Sequence, residues 1–237
     1  MIVPGSSLIS LREALKVSNT ESHRRLAELI SPERISSYQS ASSGDLDAAF
    51  RLYEWNMRAS AAVMVTTGMV EVLVRNALDR GLQDWARARG DRSWLDVVPL
   101  DKRGAADIER ARARATREGR DAEMHGKVVA ELTFGFWRYL VASRYLTSLW
   151  IPALSYAFPG GHKDIGHRRR EVEVDLKRLT LVRNRAAHHE PIFRRNLQVD
   201  RDAAIRVAVW IDPVAGDWIG EISELSAIYS DRPHSGS

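Results

Sequence analysis

Apolar residues recur at three- and four-residue spacing along most of the chain, a period that predicts helices rather than strands. From Asp45 to about Arg89 the pattern is helical with few breaks. Phe50, Tyr53, Met57, Ala61, Met64 and Gly68 form a stripe expected to face a core. Gly68 is a place for the helix to break or for another backbone to come close, so a second run is expected over Met69 to Trp85. Glu171 to His189 reads as another strong helix, with Val172, Leu176, Leu179, Val182 and Ala186 on one stripe. Pro191 disfavours helix at the residue before it, which ends this helix near His189 or Glu190. No alternating apolar–polar stretch is long enough for a sheet, and there is no internal repeat or low-complexity tract.

Capping residues sharpen this reading. Ser31-Pro32, Asp101 and Asp212-Pro213 have the chemistry of helix starts. They predict a short helix over Thr20 to Ile30 and a polar loop over Ser40 to Gly44. A further loop is expected over Gly90 to Pro99, then a charged helix from Asp101 to Arg120. Two late helices are expected, over Asp200 to Trp210 and Pro213 to Tyr229. Lys127 to Trp150 is rich in aromatics and expected to be buried. Phe158 to His162 is a turn-rich loop, followed by the cluster Arg168, Arg169 and Arg170. The expected organisation is an N-terminal helical extension over 1–30, an all-α domain over 31–230 and a frayed tail over 231–237.

Composition narrows the chemistry. The chain has 237 residues, 44% of them hydrophobic, enough for a sizeable core. A net charge of +4 and a pI near 9.6 are compatible with a polyanionic partner. The absence of cysteine excludes disulfides, zinc–cysteine sites and thiol nucleophiles. No uninterrupted apolar run reaches the roughly 18 residues of a membrane span. The first residues lack the pattern of a signal peptide, so a cytoplasmic protein with no membrane partner is expected. No Walker loop, nucleotide fingerprint or Gly-x-Ser-x-Gly elbow is present.

The densest chemistry lies in Leu181-Val-Arg-Asn-Arg-Ala-Ala-His-His-Glu-Pro191. Asn184 and His188 are four apart and share a helix face, while Arg183 and His188 sit about 140° apart around the axis. A long arginine side chain can wrap round to join them. The helix end favours imidazolium, and Arg183 and Arg185 oppose it. An acid–base histidine fits this setting, and so does a purely structural pair capping the last carbonyls. His189 and Glu190 are candidates for a second proton relay or for caps. Glu71 and Arg75, four apart, form an ordinary salt bridge or, with Asn76, border the same cleft. A metal site is disfavoured: neighbouring His188 and His189 point about 100° apart, and no His-Glu-x-x-His spacing exists.

The segment Arg183-Asn-Arg-Ala-Ala-His-His-Glu-Pro191 resembles the signature of the Abi-like (abortive infection) branch of the HEPN superfamily. Leu52 to Asn56, Glu71 to Ala77, Glu131 to Trp137, Leu149-Trp150, Ala157 to Pro159 and Trp210 to Pro213 resemble other parts of that family in the same order. The resemblance implies a HEPN-like helical bundle with additional helices that pairs into a homodimer. It further implies metal- and cofactor-independent RNA cleavage in a phage-defence or toxin–antitoxin setting, with an RNA or protein antitoxin as a further partner. Carried onto this chain, His188 would manage the proton, Arg183 would stabilise phosphorane charge and Asn184 would orient one of them. Arg185, Arg168, Arg169 and Arg170 would contact RNA. The other reading is a non-catalytic RNA-binding or dimerisation module.

Overall fold

The computed structural model describes residues 20–233, and among these the chain is all-α with no strand. The spine is one unbroken helix, α3 (Leu46–Ala88), about 65 Å long at 1.5 Å per residue. Around it lie α1 (20–30), α2 (Pro32–Ala41), α4 (Trp94–Val97), α5 (Lys102–Ala115), α6 (His125–Glu131) and α7 (Phe134–Leu140). Single-turn segments at Ser143–Tyr145, Leu146–Trp150 and Leu154–Ala157 lead into α8 (Ile165–Ala187). The chain closes with α9 (Leu197–Ile211), α10 (Pro213–Ile222) and α11 (Leu225–Ser230). The expected extension lies partly outside the described residues, as does most of the expected tail.

The predicted starts hold. The side-chain oxygens of Ser31, Asp101 and Asp212 accept from the backbone N–H of Arg34, Gly104 and Val214. These bonds satisfy donors that the first helical turn leaves free. Asp45 does the same for α3 through the Ala48 N–H.

Several expectations change. Gly68 does not break α3, and no backbone approaches it: a Cβ there would meet nothing within 4 Å. A single glycine costs a helix interior only about 1 kcal/mol, too little against packing along the whole helix. The buried stripe is also displaced. Phe50 is buried as expected, but the stripe then runs through Leu52, Trp55, Ala59, Ala62, Val63, Thr66 and Val70, while Tyr53, Met57 and Gly68 are half-buried and Ala61 and Met64 are exposed. Small side chains line much of this face, so large apolar residues were a poor guide to it. Helix α8 starts six residues before Glu171, capped by Asp164. Helix α5 stops at Ala115 because Arg117, Glu118 and Gly119 take left-handed conformations. The expected Gly90–Pro99 loop contains α4, capped by Ser93. The last expected helix is broken at Ser223, whose hydroxyl bonds that of Thr66 at 3.0 Å.

Helix α3 joins two apolar cores. Its second half packs with the aromatics of 128–158 and with α8 and α9, around Trp94, Trp137, Trp150 and Phe158. Its first half packs with Tyr38, Val182, Ala186, Ile192, Phe193 and Leu225. The aromatics of Lys127–Trp150 are buried as expected, on short helical pieces. α3 also contains an 18-residue window of mean hydropathy 1.4, long and apolar enough by composition to cross a membrane. In this fold α2, α8, α9 and α11 pack against it, and Asn56, Thr66 and Thr67 lie buried on its core side.

Buried carboxylates lock α8 to its neighbours. Asp175 accepts from Nε and Nη2 of Arg206 in α9, at 2.8 and 2.7 Å. Asp200, 1% exposed, takes Arg195 at 2.6 and 3.0 Å and Arg178 at 3.4 Å. The chain leaving α8 is therefore pulled back across the helix it has just left.

Candidate functional site

The end of α8 is anchored on its apolar side and open on its polar side. Val182 and Ala186 are buried, whereas Asn184, Arg185, His188, His189 and Glu190 are exposed and Arg183 is half-buried. The helix stops at Ala187, two or three residues earlier than expected. The His188 N–H still donates to the Asn184 carbonyl at 3.0 Å, and the Glu190 N–H reaches back to the Arg185 carbonyl at 2.8 Å. His189 adopts a left-handed conformation, φ 53°, and its N–H donates to the Ala186 carbonyl. This is the reverse turn that commonly closes a helix. Through its backbone, His189 closes the helix. Glu190 faces Arg185 at 3.4 Å.

Two residues missed in the sequence hold this turn in place. Arg34 of α2 donates to the His189 carbonyl at 2.8 Å. Asn56 of α3 is fully buried, and its Oδ1 accepts the Ile192 N–H at 2.7 Å. A buried asparagine on an apolar helix face needs a partner, and that was the available signal for Asn56. Nothing in the sequence pointed to Arg34, which comes from 155 residues upstream.

Between α2 and this turn lies an open cleft of about 360 Å³. Arg34, Ser37, Tyr38, His188, Glu190 and Pro191 are among its lining residues. Burial pushes the Tyr38 phenol up to about 12, so it stays protonated, and its hydroxyl is buried without a partner. Arg183 and Asn184 do not line this cleft. Their recorded contact is with each other, Arg183 Nη1 to Asn184 Oδ1 at 3.4 Å. Within one chain, His188 and Arg183 thus look into different surroundings.

Arg183 is instead drawn to α3. Burial raises the Glu71 carboxyl above its usual range, and Arg183, a bond from the Phe134 backbone and Arg75 pull it down. No Glu71–Arg75 ion pair forms within 4 Å; Arg75 meets Asn76 Oδ1 at 3.4 Å, matching the Arg183–Asn184 contact on α8. Two Arg-Asn pairs on crossing helices therefore share one acidic group. Because the folded state holds the Glu71 proton more tightly than the unfolded chain does, its ionisation costs stability once pH rises above the unfolded value. Glu71→Gln is expected to raise the melting temperature at pH 7 and to leave it unchanged near pH 4. Thermal unfolding at the two pH values checks this.

The arginine cluster is not a free basic patch. Arg169 is buried and bonds the Val141 carbonyl and Glu173, at 2.9 and 2.5 Å. Arg168 holds the carbonyls of His162 and Ser155. Of the three only Arg170 is exposed, because the first turn of α8 needs the others to bind the preceding loops. The rings of His162 and His167 lie 4.2 Å apart, tilted by 38°. Among the described residues no three His, Asp or Glu side chains gather as metal ligands.

Comparisons with known protein families, with curated proteins and with solved structures found no match to this chain.

Proposed function

We propose that this chain is a metal-independent endoribonuclease of the HEPN type, an abortive-infection or toxin–antitoxin effector whose site is completed by a second copy. The observation that carries the reading is the end of α8. It is a rigidly held helix terminus that leaves His188, Asn184 and part of Arg183 open to solvent. In the reaction the RNA 2′-hydroxyl attacks the adjacent phosphorus as His188 takes its proton. The bond from phosphorus to the 5′ oxygen breaks, and that oxygen is protonated. Arg183 stabilises the charge on the five-coordinate phosphorus, and Asn184 orients the guanidinium. The products are a 2′,3′-cyclic phosphate and a 5′-hydroxyl.

A second copy resolves the separation of Arg183 from the His188 cleft. Val65 and Val72 on α3 are 55% and 43% exposed, and Val174 and Leu181 on α8 are 61% and 51% exposed. Val72 adjoins Glu71, and Leu181 lies two residues from Arg183. Pairing through these apolar positions would bring the two Arg183–His188 ends together. Leu181→Asp with Val72→Asp is expected to give a monomer with no RNA cleavage, read by sedimentation velocity and a cleavage assay. An antitoxin would act by covering the same face.

Single-stranded RNA incubated in EDTA tests the activity. The wild type is expected to cut it and Arg183→Gln to cut it at least about a hundredfold more slowly, the scale of losing one charge-stabilising donor. Intact RNA with the wild type, or equal cutting by the variant, overturns the reading. The alternative, a binding module without turnover, would show RNA retained by both proteins and product from neither.

A further inference from the structure

A second cavity, of about 540 Å³, lies elsewhere, along the second half of α3. It is lined by Asp79, Arg80, Gln83, Asp84, Arg87 and Arg92, with Ser93 and His125 completing the wall. Its two carboxylates are already committed. Asp79 Oδ1 accepts the indole N–H of fully buried Trp94 at 2.7 Å and lies 2.8 Å from His125 Nε2. Asp84 lies 3.6 Å from Arg87. Arg80 and Arg92 are exposed, and neither has a carboxylate partner within 4 Å among the described residues. Gln83 fixes the loop by donating to the Arg92 carbonyl at 2.7 Å, and its Oε1 is buried without a donor.

The arrangement has a consistent sense. Asp79 holds His125 by Nε2, and the ring also packs edge-on against Trp94, so the imidazole is fixed with Nδ1 unused. A fixed imidazole, two unpaired guanidinium groups and an unpaired amide oxygen share one wall of a cavity sized for a small molecule. Guanidinium forks suit the oxygens of a phosphate, and a phosphate monoester brings close to two negative charges to offset both. The amide oxygen suits a ligand hydroxyl.

We propose that this cavity is a binding site for a phosphate monoester, held by Arg80 and Arg92 beside His125 and separate from the end of α8. The proposal does not rest on the ribonuclease reading. Isothermal titration of the full chain with inorganic phosphate, with a nucleoside 5′-monophosphate and with acetate tests it. Both phosphates are expected to bind, with dissociation constants of about 1 mM or tighter. Tighter binding of the monophosphate would show that the rest of the cavity is also used. Arg80→Gln with Arg92→Gln is expected to weaken both by about tenfold or more, equal to about 1.4 kcal/mol. Both positions are exposed, so folding is preserved, and the variant should cut RNA as the wild type does. In nitrogen-15 spectra of the histidines, phosphate is expected to shift the His125 Nδ1 resonance and to leave His188 unmoved. The proposal is overturned by no heat with either phosphate, by equal affinity for acetate, by undiminished binding in the double variant, or by a shift at His188 instead of His125.

Discussion

His188→Ala is expected to lower the rate of RNA cleavage by about a hundredfold to ten-thousandfold, the usual worth of a positioned general base or acid. Its melting temperature should match that of the wild type. His188 is exposed, its backbone N–H keeps the Asn184 carbonyl whatever the side chain, and its imidazole has no hydrogen-bond partner among the described residues. The variant should still retain RNA, because Arg183 and Arg185 remain. Cleavage rates set beside filter binding and thermal unfolding separate the three quantities. A fall in binding equal to the fall in rate would make His188 a phosphate contact and not a proton carrier.

The second large effect is expected at a residue that never touches substrate. Asn56→Ala removes the acceptor of the buried Ile192 N–H and should cost about 1–3 kcal/mol of stability. The Asn56 Nδ2 has no partner of its own, and its removal offsets part of that cost. Activity should fall further than stability accounts for. Ile192 follows the turn that carries His188 and Glu190, and beside the apolar packing of Ile192 and Phe193 only the Arg34 hydrogen bond would then tie that turn to α2 and α3. Denaturant unfolding gives the first number. The cleavage rate, measured where the variant is still fully folded, gives the second. Wild-type activity in a folded but destabilised variant would show that the turn needs no such anchor.

The helical character was readable because the chain repeats its apolar residues at the helical period and marks starts with Ser31, Asp101 and Asp212. The stripe of α8 was read correctly because its buried positions are mostly large: Val172, Leu176, Leu179 and Val182. The stripe of α3 was misread for the opposite reason. Alanines and threonines carry that face, and their small apolar weight hides it. Short range also misled at the arginine cluster. Three consecutive arginines read as one positive surface, but a helix turns about 100° per residue, which sends Arg169 into the protein and Arg170 out of it.

The crowded segment at 183–190 did mark an exposed helix end, because titratable residues on a helix with a buried stripe must gather on its other face. Its supports were harder to read: a polar Asn56 on an apolar helix face was a signal, but Arg34 arrives from a helix 155 residues upstream and nothing local marked it. The expected meeting of Arg183 and His188 depends on side-chain direction at a helix terminus. His188 keeps the helical bond to the Asn184 carbonyl and so stays about 140° round the axis from Arg183, and within one chain no side-chain contact closes that gap.

The most direct test of the central claim is the chemistry of the cut ends. Single-stranded RNA should be digested by the wild-type protein in EDTA and the fragment termini identified by mass. Attack by the 2′-hydroxyl predicts one fragment ending in a 2′,3′-cyclic phosphate and the other beginning with a 5′-hydroxyl. Fragments ending in a 3′-hydroxyl with a 5′-phosphate, or RNA recovered whole, would contradict the assignment of Arg183 and His188 to that reaction.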